Sequence, residues 1–178
     1  MFLDRDGVLN RAVLREGKPY PPQSPAEVEV LRGVKQALQR LRTAGYLNVV
    51  VTNQPDVARG KQSRAAVEAI NARLAGELAL DAIKVCYHQD SDACACRKPK
   101  PGMLLEAARD LAIDLPRSFM VGDRWRDVGA GQAAGCRCFF VDCEYDEPRP
   151  SGSFDTVKSL AQAVEQIQIG RASCRERV

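Results

Sequence analysis

The chain has 178 residues, 45% of them hydrophobic and 28% charged, with a formal net charge of +3. That suits one globular domain with a sizeable core; no apolar run is long enough to span a bilayer, and the small positive charge does not argue for nucleic acid. Seven cysteines, an odd number, fit a reducing compartment such as the cytoplasm better than a disulfide framework, no secretion signal opens the sequence, and a monomer is expected.

In chain order, residues 1–3 are apolar and form a short strand, followed at once by Asp4-Arg5-Asp6-Gly7-Val8. Helical periodicity marks Val34, Leu38 and Leu41, with Gly45 as the terminating glycine. Residues 47–51 are a continuous β-branched run, as in a strand buried on both faces. Ser63 caps a helix with the stripe Val67, Ile70, Leu74 and Leu78. Residues 83–85 form a strand, and Pro101 opens a helix carrying Leu104, Leu105, Ala108 and Leu111. Residues 119–121 form a strand, 127–134 a helix ending at Gly135, and 138–141 a strand; Val157, Leu160, Val164 and Ile167 mark a last helix. Strands alternating with helices give an α/β fold, a doubly wound, Rossmann-like parallel sheet. One domain is expected over 1–169, with 170–178 a non-native or disordered tail, since that segment lacks apolar periodicity.

Asp4, Thr52, Lys98 and Asp123 fall at strand ends or helix entries, which converge on one edge of a parallel sheet. Hydrolysis of a phosphate monoester needs such a set. One carboxylate can attack phosphorus. A second carboxyl group can protonate the leaving oxygen and then activate water. A hydroxyl and an ammonium can hold the phosphoryl oxygens. A divalent cation such as Mg²⁺ keeps the two anions from repelling each other. Taken singly, each residue is better explained as a turn residue, a strand-end threonine, a solvated lysine or a helix cap. Their order and strand contexts together favour the chemistry.

Asp4-Arg5-Asp6-Gly7, Thr52-Asn53-Gln54, Lys98-Pro99 and Gly122-Asp123 resemble, in order and over nearly the whole chain, the motifs of the haloacid dehalogenase (HAD) phosphatase superfamily. The resemblance implies Asp4 as nucleophile, Asp6 as general acid/base, and Thr52 and Lys98 as stabilisers of the phosphoryl group. It also implies Mg²⁺ held by Asp4, Asp123 and the Asp6 backbone carbonyl. Asp127 would support the metal site indirectly, although an acidic residue in a first helical turn is favoured anyway.

Cys86, His88, Cys94 and Cys96 supply three thiolates and one imidazole within a short loop, a full ligand set for tetrahedral structural Zn²⁺. His88 is the only histidine. The spacing is not that of a zinc finger, so a finger-type DNA reading fails. Cys136, Cys138 and Cys143 read as small buried hydrophobes. The metal loop runs into Arg97-Lys98-Pro99, so metal loss should act on catalysis through position.

A Cys-x-His and Cys-x-Cys loop before Arg-Lys-Pro, with Ala58-Arg59-Gly60, resembles the D-glycero-D-manno-heptose 1,7-bisphosphate 7-phosphatase family and its relative, the histidinol-phosphate phosphatases. That implies removal of the C7 phosphate in a route to heptose for lipopolysaccharide, with Arg97 on the substrate and Asn53 and Arg124 close to it; a turn residue and a solvated charge are the plain alternatives for the last two. Pro55-Asp56 departs from the family pattern in a loop where substrate choice resides. The spacing between motifs leaves no room for a separate cap domain, so residues 9–25 and the metal loop are the segments able to close over the site; the first is stiffened by four prolines and is equally readable as a plain connection. The partner is then a small sugar phosphate, not nucleic acid or membrane. Two readings from other classes are a phospho-acceptor signalling domain, which has no use for Asp6, and a zinc-stabilised binding module, which leaves the four motifs unexplained.

Overall fold

The computed structural model describes residues 1–175, with side chains through Ile169. In chain order the elements are β1 (Phe2–Leu3), β2 (Val13–Arg15), β3 (Lys18–Tyr20), α1 (Val34–Thr43), β4 (Val49–Asn53), α2 (Arg64–Glu77), β5 (Ala82–Cys86), α3 (Gly102–Asp110), β6 (Phe119–Gly122), α4 (Trp125–Ala133), β7 (Arg137–Val141), β8 (Asp155–Val157) and α5 (Leu160–Arg175). Six strands form one sheet in the order β5-β4-β1-β6-β7-β8, every pair parallel. The order reverses at β1, so the carboxyl ends of β1, β4 and β6 meet at a topological switch point. Those ends carry Asp4, Thr52 and Asp123.

The sheet is buried on both faces, which explains why its strands read as continuous apolar runs. Phe2 packs in one core layer with Val49, Val51, Met103, Met120 and Phe140. Leu3 turns to the other, with Val50, Val121, Phe139 and the inner stripes of α1 and α5. β1 has only two residues, yet it is pinned on both sides: Val49 N–H donates to the Met1 carbonyl and Asp4 N–H to the Val121 carbonyl, each at 2.9 Å.

Several local signals act as the sequence indicates. Gly45, at φ 84°, follows the α1 cap and donates to the Arg42 carbonyl. Ser63 Oγ accepts from Ala66 N–H at 3.1 Å. Cys136 and Cys138 are buried and Cys143 is half-buried.

The fold departs from the sequence expectations at four places. Residues 9–25 contain an antiparallel hairpin, with Leu14 opposite Pro19. Val157 belongs to β8, paired with Val141, and not to the last helix. In α3 the buried face is Met103, Leu104, Ala107 and Ala108, while Leu105 is exposed. The α5 backbone continues through Arg175, past the point where the sequence pattern ends it; residues 176–178 of the suspected tail lie outside the described residues. Among the described residues no helix is long and apolar enough to cross a membrane.

Candidate active site

Asp4, Asp123 and Asp127 each bring a carboxylate oxygen to within 4.8 Å of the others. Two glycines permit this. Gly7 has φ 88°, and a Cβ there would sit 1.8 Å from Asp123 Oδ2; a Cβ on Gly122 would sit 2.0 Å from that of Asp127. Gly122→Ala should therefore push Asp127 aside. We expect a loss of about 2 kcal/mol by thermal melting, together with reduced kcat; unchanged values would show that Asp127 is free to move.

Lys98 lies in the middle of the cluster, 2% exposed. Its Nζ donates to Asp4 Oδ1 at 2.7 Å and to the Val51 carbonyl at 2.7 Å, and pairs with Asp127 Oδ1 at 2.5 Å. All three ammonium protons are thus used. Burial pulls the Lys98 pKa down, but Asp127 and Asp4 outweigh it and hold the amine above its usual range. Asp127 also accepts from Arg124 N–H at 3.0 Å, closing the first turn of α4.

Three buried carboxylates face one ammonium. Both oxygens of Asp123 are buried and have no hydrogen-bond partner, although the Tyr145 hydroxyl approaches them. Buried unpaired carboxylate oxygens are costly, and hard oxygen donors beside a phosphate site are what Mg²⁺ takes. The residues therefore fit the cation. Burial pushes the Asp4 carboxyl up to about 6, with Lys98 opposing the rise and Asp127 and Asp6 adding to it. Asp123 is raised well above the usual carboxylate range by burial, then by Asp4 and Asp127.

These shifts set a pH dependence. In the metal-free protein the Asp4 pKa is higher folded than unfolded, so the folded state binds the extra proton. The stability that goes with that proton is full below about pH 4 and lost as pH rises through about 6. A cation that needs both carboxylates ionised displaces those protons. The rise in Tm on adding Mg²⁺ should accordingly be larger at pH 7.5 than at pH 5; an equal rise at both would contradict the cluster as its site.

Asp6 lines the same cavity, of about 240 Å³, as Asp4, Thr52, Asn53, Arg97, Lys98, Asp123 and Arg124. Sequence reasoning placed all of these at the site. Asp6 accepts from Asn10 Nδ2 at 2.9 Å and from Gln54 Nε2 at 2.8 Å; Gln54 Nε2 also reaches Thr52 Oγ1 at 3.0 Å. Asn53 acts on the backbone: its side chain donates to the Lys98 carbonyl and accepts from Lys98 N–H, both at 3.1 Å. It thus fixes the loop bearing Lys98 to the end of β4. Arg124 is a cavity wall residue held by Glu147, with Nε to Oε2 at 2.7 Å. Arg97 forks onto Asp90, at 3.0 and 3.3 Å, and donates to the His88 carbonyl at 3.2 Å.

Asp90 and Arg126 carry no motif that marks them for the site. Arg126 also donates to Asp90, to the same Oδ1 that Arg97 uses, at 2.9 Å, and the hydrogen bonds from Arg97 hold the Asp90 carboxyl down at about 2. Lys18, Pro19, Tyr20 and Pro21 also line the cavity, so the hairpin is part of the pocket and not a plain connection.

Through the His88 carbonyl, Arg97 leads to the Cys/His loop. Cys86, His88, Cys94 and Cys96 bring one donor each to within 4.8 Å of one another. The sulfur separations are 3.1 Å for Cys86–Cys96, 3.5 Å for Cys94–Cys96 and 3.7 Å for Cys86–Cys94. His88 Nδ1 lies 3.3 Å from Cys96 Sγ and 3.6 Å from Cys86 Sγ. Edges of a thiolate tetrahedron around zinc are about 3.8 Å, from bonds of ~2.3 Å, so the four residues fit Zn²⁺. All three cysteines are free thiols.

Comparison with known proteins agrees with this geometry. Residues 95–162 match the family model described as HAD-hyrolase-like. A D-glycero-beta-D-manno-heptose-1,7-bisphosphate 7-phosphatase from Bordetella bronchiseptica is 40% identical over 146 residues, 79% of each chain. One from Pseudomonas aeruginosa is 34% identical over 93% of this chain and 97% of its own. The crystal structure of the B. bronchiseptica D,D-heptose 1,7-bisphosphate phosphatase, complexed with magnesium and phosphate, superposes with a TM-score of 0.79 at 34% identity, covering 96% of this chain and 98% of that one. With the motifs in place around one cavity and relatives matched over most of their length, the chain belongs to the HAD-like phosphatases, in the family of the heptose-bisphosphate phosphatases.

Proposed function

We propose that this phosphatase removes the C7 phosphate of D-glycero-β-D-manno-heptose 1,7-bisphosphate through an aspartyl-phosphate on Asp4. The observation that carries the reading is the buried convergence of Asp4, Lys98 and Asp123, joined to relatives bearing that substrate's name. Asp4 attacks phosphorus, the bond from phosphorus to the sugar oxygen breaks, and Asp6 gives its proton to the departing oxygen. Asp6 then takes a proton from water as the water oxygen attacks phosphorus, and the Asp4 carboxylate leaves. Thr52, and Lys98 once a phosphoryl oxygen replaces one of its present carboxylate partners, hold the equatorial oxygens, where charge spreads in the transition state. Bound Mg²⁺, held by Asp4, Asp123 and the Asp6 carbonyl, would cancel the repulsion between nucleophile and substrate. Zn²⁺ on the four loop ligands is structural, since no ligand position is left open; its thiolates fit a reducing compartment such as the cytoplasm.

Arg97 and Arg126 put two cations in the cavity wall, both now paired with Asp90; a second phosphate that displaced that carboxylate would meet two planar forks, which favours a bisphosphate over a monophosphate. The test is phosphate release, with Mg²⁺, from the two heptose 1,7-bisphosphate anomers and histidinol phosphate side by side. A kcat/KM at least about 100-fold higher for one heptose anomer supports the assignment; a preference for histidinol phosphate overturns it.

A further inference from the structure

Arg5 stands between the two aspartates of the opening motif and is 0% exposed, the largest fully buried side chain among the described residues. A buried guanidinium is costly unless its charge and donors are matched. Here Nη1 donates to Asn71 Oδ1 on α2 at 2.8 Å. Nη2 donates to Asp6 Oδ2 at 2.9 Å, and Nε is shared between the two Asp6 oxygens at 3.2 and 3.3 Å. With Asn10 on Oδ1 and Gln54 on Oδ2, both oxygens of Asp6 carry more than one donor. Asn71 is itself a polar residue on the buried stripe of α2, beside Val67, Ile70 and Leu74. Packing does not call for this pair, since apolar side chains of similar volume would fill the space without a buried charge. Arg5 is also absent from the cavity wall, so it has no direct contact to offer a substrate.

We propose that Arg5, braced by Asn71, is the positioning residue of the proton carrier: its fork fixes the plane of the Asp6 carboxyl group. A two-point clamp removes rotation of the carboxyl. So held, the carboxylate is set to take the proton of the attacking water; to carry a proton to the leaving oxygen, one Asp6 oxygen must first give up Asn10 or Gln54 as its donor, while the Arg5 fork keeps the plane of the group. This inference rests on the reading of Asp6 as general acid/base.

A leaving group acidic enough to depart unprotonated separates the two chemical steps. With p-nitrophenyl phosphate, transfer to Asp4 needs no proton from Asp6, whereas the later attack of water still needs its base. Rapid-quench assays on Arg5→Met, Asn71→Ala, Arg5→Lys and Asp6→Asn, with Mg²⁺, would use this probe and heptose 1,7-bisphosphate. In Arg5→Met and Asp6→Asn we expect a burst of about one nitrophenol per active site, then turnover slowed about 100-fold. The sugar phosphate should show no burst and a similar loss. Asn71→Ala should show the same pattern with a loss of about 10-fold, and Arg5→Lys, which restores charge without the fork, a partial recovery. A role confined to folding would lower Tm and both probes together, without a burst, and so overturn the proposal. Absence of a burst in Asp6→Asn itself would refute the reading of Asp6. A burst in Asp6→Asn but in neither Arg5→Met nor Asn71→Ala would overturn the assignment of Arg5 alone. Should Arg5→Met not fold, Asn71→Ala decides.

Discussion

Asp4→Asn should lower kcat by at least about 1,000-fold, because an amide oxygen is a poor nucleophile for phosphorus and no other carboxylate is placed to replace it. The substitution is nearly isosteric, so Lys98 retains Asp127 and the Val51 carbonyl as partners. Loss of the fold is not the expected cause. Burial raises the Asp4 carboxyl to about 6, so its charge opposes folding at neutral pH when no cation is bound. Metal-free Asp4→Asn should then melt at or above the wild-type temperature at pH 7.5, while the rise in Tm on adding Mg²⁺ shrinks. Phosphate release and thermal melting check the two halves separately. Residual activity above about a tenth of wild type would mean that the attacking group lies elsewhere.

The second large effect should come from the metal loop. Cys94→Ser removes one of the three thiolates in the set of four residues, and a serine hydroxyl does not replace a thiolate on zinc. We expect zinc content to fall to near zero and Tm to drop by roughly 5–10 °C. Activity should fall about 10–100-fold even though no zinc ligand lines the cavity. The route is mechanical. The His88 carbonyl and Asp90 hold Arg97, Asp90 also holds Arg126, and the Lys98 backbone follows directly in sequence. Lys100 ties the loop further through the Cys94 carbonyl at 2.8 Å. The damage should therefore appear mainly as a raised KM for the bisphosphate. Metal analysis, melting and steady-state kinetics on one preparation check this; unaltered zinc content would refute the cluster.

Most of the site was legible because its residues stand at the ends of strongly apolar strands, where a parallel sheet gathers them. Asp4, Thr52 and Asp123 needed only that rule and their order. The supporting residues were not legible, because their partners are remote. Arg5 and Asn71 are 66 positions apart, and a lone Asn on an apolar helix face carries no sign of what it binds. Asp90 looks like a solvated loop acid until Arg126, 36 positions on, is seen beside it. The hairpin was hidden for a local reason. Its tip is Glu16-Gly17, both at positive φ, without the Asn-Gly or Asp-Gly signal, and Pro19 in β3 argues against a strand except at an edge. Val157 kept helical spacing with Leu160 and Val164, and only its pairing with Val141 shows that the period there is coincidental.

The most direct test is to trap the phosphoryl group. Asp6→Asn protein mixed with p-nitrophenyl phosphate and Mg²⁺, quenched in acid within one turnover and digested, should yield the amino-terminal peptide phosphorylated on Asp4, because the group that activates water is gone. Phosphate on Asp4 in near-stoichiometric amount is the predicted result. An unmodified Asp4, with the phosphoryl group on another residue or released in a single step, would contradict the account.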